Sequence, residues 1–197
     1  MHRLIFSIDT KIPKEITTLI STSIENIAKE WEDGLVQDPS DGNYKKLENW
    51  RKSKHKWVEV DRWESGFIWY YLERLNRQYF QYQLDHYDSG LLQYTKYEEG
   101  FHYDWHVDES RGSVDPITGE KISGVRKLSF TLQLSESSDY DGGDLIFQDF
   151  ATGQQTTAAR ERGSLIVFDS RVKHKISPVT RGTRHALVGW LVGDPWT

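Results

Sequence analysis

The chain has 197 residues, a length that fits one domain with a sizeable buried core. Its formal net charge of −5 argues against a general nucleic-acid binder, because such proteins usually carry a strongly basic face. The sequence contains no cysteine, which excludes disulfides, thiolate metal sites and cysteine nucleophiles, so any metal must bind nitrogen and oxygen ligands. It shows neither a signal-peptide pattern nor an apolar run long enough to span a membrane, and we expect a cytoplasmic protein.

Residues 1–90 are predicted to form a helical support region. A short apolar strand is expected at residues 4–8, and Pro13 suits the first turn of a helix whose apolar residues recur with helical spacing: Ile16, Leu19, Ile20, Ile24 and Ile27. Residues 33–61 are rich in Asp, Gly, Asn and Lys, and we interpret them as loop with at most short elements. Residues 63–80 carry an aromatic helical stripe that we expect in the core: Phe67, Tyr70, Tyr71, Leu75 and Tyr79.

From residue 91 onward, short runs with a period of two alternate with clusters of Gly, Asp and Ser. The expected strands are residues 91–97, 127–135, 144–150, 164–168 and 185–192. A tight-turn signal at Asp141-Gly142-Gly143 lies between the second and the third of them. This spacing predicts an antiparallel sandwich or barrel with the preceding helices backing one sheet. We therefore predict a mainly β protein with N-terminal helices (α+β), one domain over residues 1–197 with its β core in residues 91–197.

Two histidines stand in positions suited to binding a metal. His106 and Asp108 flank Val107, and on an extended segment such a pair projects to the same side, although His-x-Asp is also common by chance. His174 comes much later, directly after the predicted strand 164–168, where strand ends from distant parts of a sandwich converge. Two histidines and one carboxylate make up the facial triad of non-haem Fe(II) oxygenases, which leaves coordination positions open.

Arg184 opens the last predicted strand, ten residues beyond His174. A 2-oxo acid would fill two of the open metal positions and oxygen the third. The planar guanidinium would then pair with the far carboxylate of this co-substrate. Strand alternation predicts that Trp190 faces the same pocket as Arg184, whereas His185 faces away.

Three segments resemble prolyl 4-hydroxylase-type oxygenases, in particular the bacterial PKHD-type hydroxylases. They are residues 97–108 (YEEGFHYDWHVD), residues 128–145 with a Gly-Gly hairpin, and residues 163–184, which include HKISPVTRGTR. The resemblance covers about half of the chain, with the motifs in the right order. It implies a double-stranded β-helix (jelly-roll) core, Fe(II), 2-oxoglutarate and O2 as partners of the reaction, and ascorbate as a candidate reductant.

The resemblance also assigns roles to residues. His106, Asp108 and His174 fall on the iron ligands, and Arg184 falls on the anchor for the far carboxylate of 2-oxoglutarate. Tyr97 falls where a tyrosine hydroxyl contacts this co-substrate.

Three further positions follow from the same resemblance. Trp190 matches a tryptophan that lines the pocket, and Arg126 falls at a position that touches peptide substrate. Gln133 stands where some relatives carry a tyrosine that helps to hold the far carboxylate, a role that an amide could take over. The polar loop 109–125 has no counterpart in the resemblance and is either a substrate lid or a plain connector.

The resemblance implies a dioxygenase that couples oxidative decarboxylation of 2-oxoglutarate, giving succinate and CO2, to hydroxylation of a substrate C–H bond. The expected substrate is a prolyl residue in a peptide or protein. We expect no nucleic-acid or membrane partner, and a monomer or weak homodimer. Three alternatives stay open: an oxygenase acting on a small molecule or another side chain, a metal enzyme on a similar barrel that needs no 2-oxo acid, and a non-catalytic jelly-roll binding module.

Overall fold

The fold is described from a computed structural model, which covers residues 5–8, 12–27, 29–37, 44–109 and 124–196. Residues 5–8 and 37 are described by their backbone alone. Helix α1 spans Lys14–Glu25, so Pro13, expected in the first turn, lies one residue before the helix. Helix α2 spans Trp63–Leu75 and continues as a π-helical turn, Asn76–Phe80. A 3-10 turn occupies Asp88–Gly90. Within these ranges no helix has the length and apolar character to cross a membrane.

The strands, most of them in the second half of the chain, are β1 (Ile5–Ile8), β2 (Glu32–Asp33), β3 (Val36–Gln37), β4 (Tyr44–Lys45), β5 (Arg51–Lys52), β6 (Lys54–Glu59), β7 (His86–Tyr87), β8 (Leu91–Tyr97), β9 (His102–His106), β10 (Val125–Gln133), β11 (Tyr140–Gly142), β12 (Leu145–Gln148), β13 (Gln155–Thr157), β14 (Leu165–Asp169), β15 (Lys173–Ile176), β16 (Val179–Gly182) and β17 (Arg184–Gly193). The five strands expected from the alternating pattern are all present, with ends shifted by at most two residues.

Two antiparallel sheets make up the body of the protein. The larger has the order β1-β14-β10-β17-β8-β6-β2, with β7 pairing with β17 beyond the end of β8. The smaller has the order β13-β12-β15-β9-β5. Two short pairs, β11-β16 and β3-β4, complete the set. This arrangement confirms the predicted β-rich jelly-roll core with helices in support.

Alternate side chains of β14 enter two different cores, as expected of a strand with both faces covered. Leu165 and Val167 join a cluster between the larger sheet and the helices, which also contains Ile20 of α1 and Leu72 of α2. Phe168, on the other face, joins a cluster between the two sheets. Burying each of these apolar side chains contributes about 2 kcal/mol. The helices therefore hold one face of the larger sheet, and its other face is free to form a site with the smaller sheet.

The interpretation of residues 33–61 as loop is wrong for Lys54–Glu59, because β6 pairs with β8 along its whole length. The lysine-rich composition hid this strand. The Lys56 and Lys96 ammonium groups lie 5.2 and 4.7 Å from the ring centroid of Trp31. Their alkyl stems can cover apolar surface while the charged ends stay near solvent, so lysine is tolerated in this sheet. The predicted support region 1–90 thus also supplies a core strand.

The aromatic stripe predicted on α2 is only partly correct. Tyr70 and Tyr79 are exposed, and the buried face of the helix is formed by Ile68, Leu72 and Leu75. The true apolar face is rotated from the predicted one, because the larger aromatic rings reach the edge of the core from flanking positions. Phe67 and Tyr71, for example, are partly buried against the core cluster.

The sequence predicts a Gly-Gly hairpin between two paired strands, and this prediction is wrong. β10 belongs to the larger sheet and β12 to the smaller, so the chain crosses between the sheets at this point. Gly142 and Gly143 both have positive φ, of 67° and 63°. A Cβ on Gly142 would overlap the carbonyl oxygen of Pro178, so the close approach of two backbones requires glycine here.

Candidate active site

Strand pairing brings the two distant histidines together. His106 ends β9, and its direct partner on the neighbouring β15 is His174. Asp108 lies just beyond β9, where its backbone N–H donates to the carbonyl oxygen of Ser170 at 2.9 Å, tying this loop to the end of β14. One ligand atom each from His106, Asp108 and His174 lie within 4.8 Å of one another. The structure thus brings together the three residues singled out as candidate ligands.

The hydrogen bonds of this cluster leave three acceptors facing each other. The Nδ1 atom of His106 lies 2.7 Å from the Asp104 carbonyl oxygen, and Nδ1 of His174 lies 2.9 Å from that of Val172. A carbonyl oxygen can only accept, so each Nδ1 carries the proton and each Nε2 presents a lone pair. These Nε2 atoms lie 3.6 and 3.5 Å from the carboxylate oxygens of Asp108. In this tautomer two nitrogen lone pairs and a carboxylate converge, so the arrangement suits a cation.

The pKa values of His106 and Asp108 also favour metal binding. Together with the nearby charge of His174, it lowers the pKa of His106 to about 3, so this imidazole is neutral. For Asp108, burial would raise the pKa, but His174, His106 and Arg126 outweigh it, and the pKa of this carboxyl lies below its usual range. Two imidazole nitrogens and one carboxylate fit a divalent first-row metal such as Fe(II).

Aromatic rings hold the histidines in place. The Tyr103 ring stacks on His106 with centroids 3.6 Å apart and an interplanar angle of 12°, and Phe168 meets His174 edge-on at 4.8 Å. Burial raises the pKa of the Tyr103 hydroxyl to about 12, so it stays protonated. This packing restricts the orientations that the two imidazole rings can adopt.

Arg184 lies buried at the start of β17, with 1% of its surface exposed. Its Nη2 donates to Oε1 of Gln133 at 3.0 Å, while Nε is buried without a hydrogen-bond partner among the described residues. The guanidinium carbon lies 5.5 Å from the ring centroid of Tyr97, its cross-strand partner. A buried cation with an unused donor is costly unless an anion binds to it, so this position suits a carboxylate.

Tyr97 and Gln133 surround this arginine in different ways. Tyr97 is buried, which raises the pKa of its hydroxyl. Gln133 accepts from Arg184 through its oxygen, and its Nε2 donates to the Ala159 carbonyl oxygen at 3.3 Å. An amide has two N–H donors, so the contact expected between Gln133 and the co-substrate stays a prediction, while its oxygen orients Arg184.

Trp190 and Arg126 form one unit. The Arg126 guanidinium lies 4.1 Å from the Trp190 ring centroid, and its Nε and Nη2 donate to Oδ2 of Asp88 at 2.7 and 2.6 Å. The Nε1 atom of Trp190 is buried without a partner among the described residues. His185, as strand alternation predicts, faces the other side, where it stacks on Tyr94.

A cavity of about 870 Å³ connects these groups. It is lined by the metal-binding cluster and by Tyr97, Arg126, Arg184 and Trp190, and it also reaches Arg51 and Tyr103. This volume accommodates a small co-substrate and part of a second molecule. Sequence analysis did not single out Arg51, which lies in the segment interpreted as loop, nor Tyr103, whose only signal is an aromatic residue close before His106.

The loop predicted as a lid or connector, residues 109–125, lies almost wholly outside the described residues, which stop at 109 and resume at 124. Both interpretations of this loop stay predictions.

Comparison with known proteins agrees with the geometry. The model of the 2OG-Fe(II) oxygenase superfamily matches residues 92–192. A PKHD-type hydroxylase of Herminiimonas arsenicoxydans is 42% identical over 98 residues, covering 50% of this chain and 41% of that protein. A PKHD-type hydroxylase of Idiomarina loihiensis is 35% identical over 98 residues, covering 49% and 39%. The chain thus matches about two fifths of the length of these curated relatives.

Solved structures share the fold over nearly the whole chain. A Pseudomonas putida prolyl-4-hydroxylase has a TM-score of 0.69 at 21% identity, covering 98% of this chain and 94% of that one. A Trichoplax adhaerens prolyl hydroxylase in complex with a hypoxia inducible factor peptide fragment has a TM-score of 0.72 at 16% identity, covering 96% and 83%. At such identities the likeness shows the fold alone. With the match of the family model over half of the sequence, the chain belongs to the 2OG-Fe(II) oxygenase superfamily.

Proposed function

We propose that this protein is an Fe(II)- and 2-oxoglutarate-dependent hydroxylase in which His106, Asp108 and His174 bind the metal. The observation that carries the proposal is the set of three converging acceptors, with each Nε2 within 3.6 Å of the Asp108 carboxylate and both imidazole protons committed to backbone carbonyls. Membership of the superfamily, which implies Fe(II), 2-oxoglutarate and O2, supports this assignment.

Charge balance supports a diacid as the co-substrate. A divalent metal and Arg184 bring three positive charges into a buried site, and Asp108 supplies one negative charge. 2-Oxoglutarate brings two negative charges, so the metal, Asp108, Arg184 and the co-substrate together carry no net charge, which lowers the penalty of burying these ions. In this arrangement Arg184 binds the far carboxylate with its free Nε–H, and Tyr97 lies beside the same carboxylate.

When bound, the metal and 2-oxoglutarate would activate O2, the oxidant, so that one oxygen atom enters a substrate C–H bond and the other enters succinate, with release of CO2. The residues of the chain orient the metal ligands and Arg184, and they enclose the cavity. Tyr103 and Phe168 fix the imidazole planes, Gln133 fixes the direction of Arg184, and the Trp190 ring walls the cavity in which the target carbon would lie.

We propose a prolyl residue in a peptide or protein as the substrate. The solved relatives named prolyl hydroxylases, one of them with a peptide bound, support this choice. Arg126 is suited to contact a peptide, because Asp88 and the Trp190 ring hold its guanidinium at the wall of the cavity. Ascorbate is a candidate reductant for this reaction.

The test is an anaerobic titration with Fe(II) and then 2-oxoglutarate, followed by the metal-to-ligand charge-transfer absorption in the visible range. We expect the band in the wild type and in His185→Gln, whose side chain lies on the other face of β17, and none in His174→Ala. Succinate formation with a panel of proline-containing peptides then tests the substrate. Iron-loaded protein without the band would overturn the co-substrate assignment.

A further inference from the structure

A second buried arginine lines the cavity and has no place in the proposed reaction. Arg51 lies in β5 opposite Tyr103 of β9, with 9% of its surface exposed. Its guanidinium carbon is 4.7 Å from the centroid of the Tyr103 ring. The His106 ring already covers one face of Tyr103, so Arg51 covers the other. Its positive charge therefore lies one aromatic ring away from a proposed metal ligand, within the same cavity.

Most of the hydrogen-bonding capacity of Arg51 is unused. A guanidinium has five N–H donors. Nε donates to Oγ of Ser53 at 2.8 Å, and Nη1 donates to the Leu35 carbonyl oxygen at 3.1 Å. In the parts of the chain that the structure describes, Nη2 has no hydrogen-bond partner, and no carboxylate lies within ion-pair distance of the guanidinium.

The carboxylates of Asp33 and Glu32, which line the cavity near Arg51, contact other side chains. Asp33, which lines the cavity beside Arg51, forms an ion pair with Lys46 at 2.8 Å, and Glu32 lies 3.8 Å from His55. Arg126 already has its counterion in Asp88. Among the cavity arginines, Arg51 and Arg184 are therefore the two without a carboxylate partner from the described residues, and the co-substrate supplies one carboxylate for Arg184.

The side chain of Arg51 is held in place by close packing. A Cβ added at Gly34 would overlap both the Ser53 hydroxyl and the Arg51 side chain, so the backbone packs directly on the guanidinium. Stacking on Tyr103 offsets part of the cost of burying the charge, and the donors that remain face the cavity, where an anion can bind them. A guanidinium held this firmly loses little entropy on binding a planar, two-oxygen group.

We propose that Arg51 binds a carboxylate of the primary substrate, and that the enzyme consequently prefers substrates with an acidic group near the carbon to be hydroxylated. This inference rests on the proposed function, because it places the substrate in the same cavity. The carboxylate can be an aspartate or glutamate side chain of a peptide, or the free carboxylate of a substrate that ends at the target residue.

Direct binding tests the inference without turnover. Fluorescein-labelled peptides with one central proline would carry glutamate in turn at each flanking position, each matched by a glutamine peptide. A further pair would end at the proline as the free acid or the amide. We expect at least one acidic member to bind the wild type about tenfold more tightly than its neutral match, as a charged hydrogen-bonded pair provides. The peptide that binds more tightly shows whether Arg51 binds a side-chain carboxylate or a free terminal one.

Variants assign the preference to Arg51. Arg51→Gln should abolish it and Arg51→Lys should retain part of it, whereas Lys52→Gln should leave it unchanged, since the Lys52 side chain lies over Phe101 on the other face of β5. Should Arg51→Gln fail to fold, Ser53→Ala removes one anchor of the guanidinium and should weaken the preference. The absence of any acidic preference, or its survival in Arg51→Gln, would overturn the inference.

The charge-transfer band separates this outcome from failure of the proposed function. Arg51→Gln should keep the band with Fe(II) and 2-oxoglutarate, because its effect concerns the primary substrate. A wild type without the band would refute the proposed function, whatever the peptides do. A normal wild-type band that is lost in Arg51→Gln, without any acidic preference, would show that Arg51 merely braces Tyr103 and would refute the inference alone.

Discussion

Replacing Arg184 by glutamine removes the positive charge that we assign to the far carboxylate of 2-oxoglutarate. Glutamine can still donate one hydrogen bond from this position, but it cannot form the paired N–H donors of a guanidinium. In Arg184→Gln the co-substrate would therefore have to bury a carboxylate without a counterion. We expect its affinity to fall sharply while the metal site, formed by other strands, stays intact.

The magnitude follows from the burial of Arg184. With 1% of its surface exposed, it interacts with an anion in an environment that solvent hardly screens. Truncating one partner of a buried, hydrogen-bonded charge pair costs about 3 kcal/mol or more. The dissociation constant for 2-oxoglutarate should thus rise by about a hundredfold or more. Arg184→Lys keeps the charge and loses the planar fork, so we expect an intermediate value.

The assay is an anaerobic titration of Fe(II)-loaded protein with 2-oxoglutarate, read from the charge-transfer band. Iron content measured on the same samples shows whether metal binding is preserved. His185→Gln is the matched control, because its side chain stacks on Tyr94 and faces away from the cavity. Equal affinities in Arg184→Gln and the wild type would refute the role of Arg184 and the charge-balance reasoning behind it.

Three further predictions concern the metal, pH and the backbone. Asp108→Asn removes the anionic ligand, and its Fe(II) affinity in a competition titration should fall by more than about a hundredfold; unchanged affinity would contradict the assignment. Burial and the Arg51 charge lower the pKa of His55 to about 4 from its usual 6.5, so the unfolded chain binds a proton that the folded protein excludes. Through His55 the metal-free protein should lose up to about 3 kcal/mol of stability as the pH drops from 6.5 towards 4, in addition to the loss expected from the buried His106. His55→Gln should make the profile of Tm against pH shallower by the His55 share, and parallel profiles would contradict the cause. Gly142→Ala forces a Cβ onto the Pro178 carbonyl at positive φ and should cost about 2 kcal/mol or more in chemical unfolding, while Gly66→Ala in α2, where the Cβ meets open space, should stabilise the protein by about 0.5 to 1 kcal/mol.

The sequence predicts those parts of the site that depend on local geometry. His106 and Asp108 lie two residues apart at the end of an extended segment, so their convergence follows from strand alternation. Alternation likewise predicts that Trp190 shares a face with Arg184 while His185 does not. The resemblance to known oxygenases brings His174 into the same site, and the pairing of β9 with β15 supplies its physical reason.

Features that depend on partners far apart along the chain could not be predicted in this way. Arg51 becomes part of the cavity only because β5 pairs with β9, and the two-residue β5 carries no periodic signal. The lysines of β6 are typical of a solvent-exposed segment. In the structure, however, Lys56 of β6 and Lys96 of the paired β8 lie over the ring of Trp31. The sequence identifies Gln133 as an amide that can donate hydrogen bonds, but its direction depends on the positions of Arg184 and Ala159.

The most direct measurement of the central claim is anomalous diffraction at the iron edge from crystals of the protein loaded anaerobically with Fe(II). We predict one anomalous peak within bonding distance of Nε2 of His106, Nε2 of His174 and a carboxylate oxygen of Asp108. A peak elsewhere, or one that any of these three side chains fails to reach, would contradict the account.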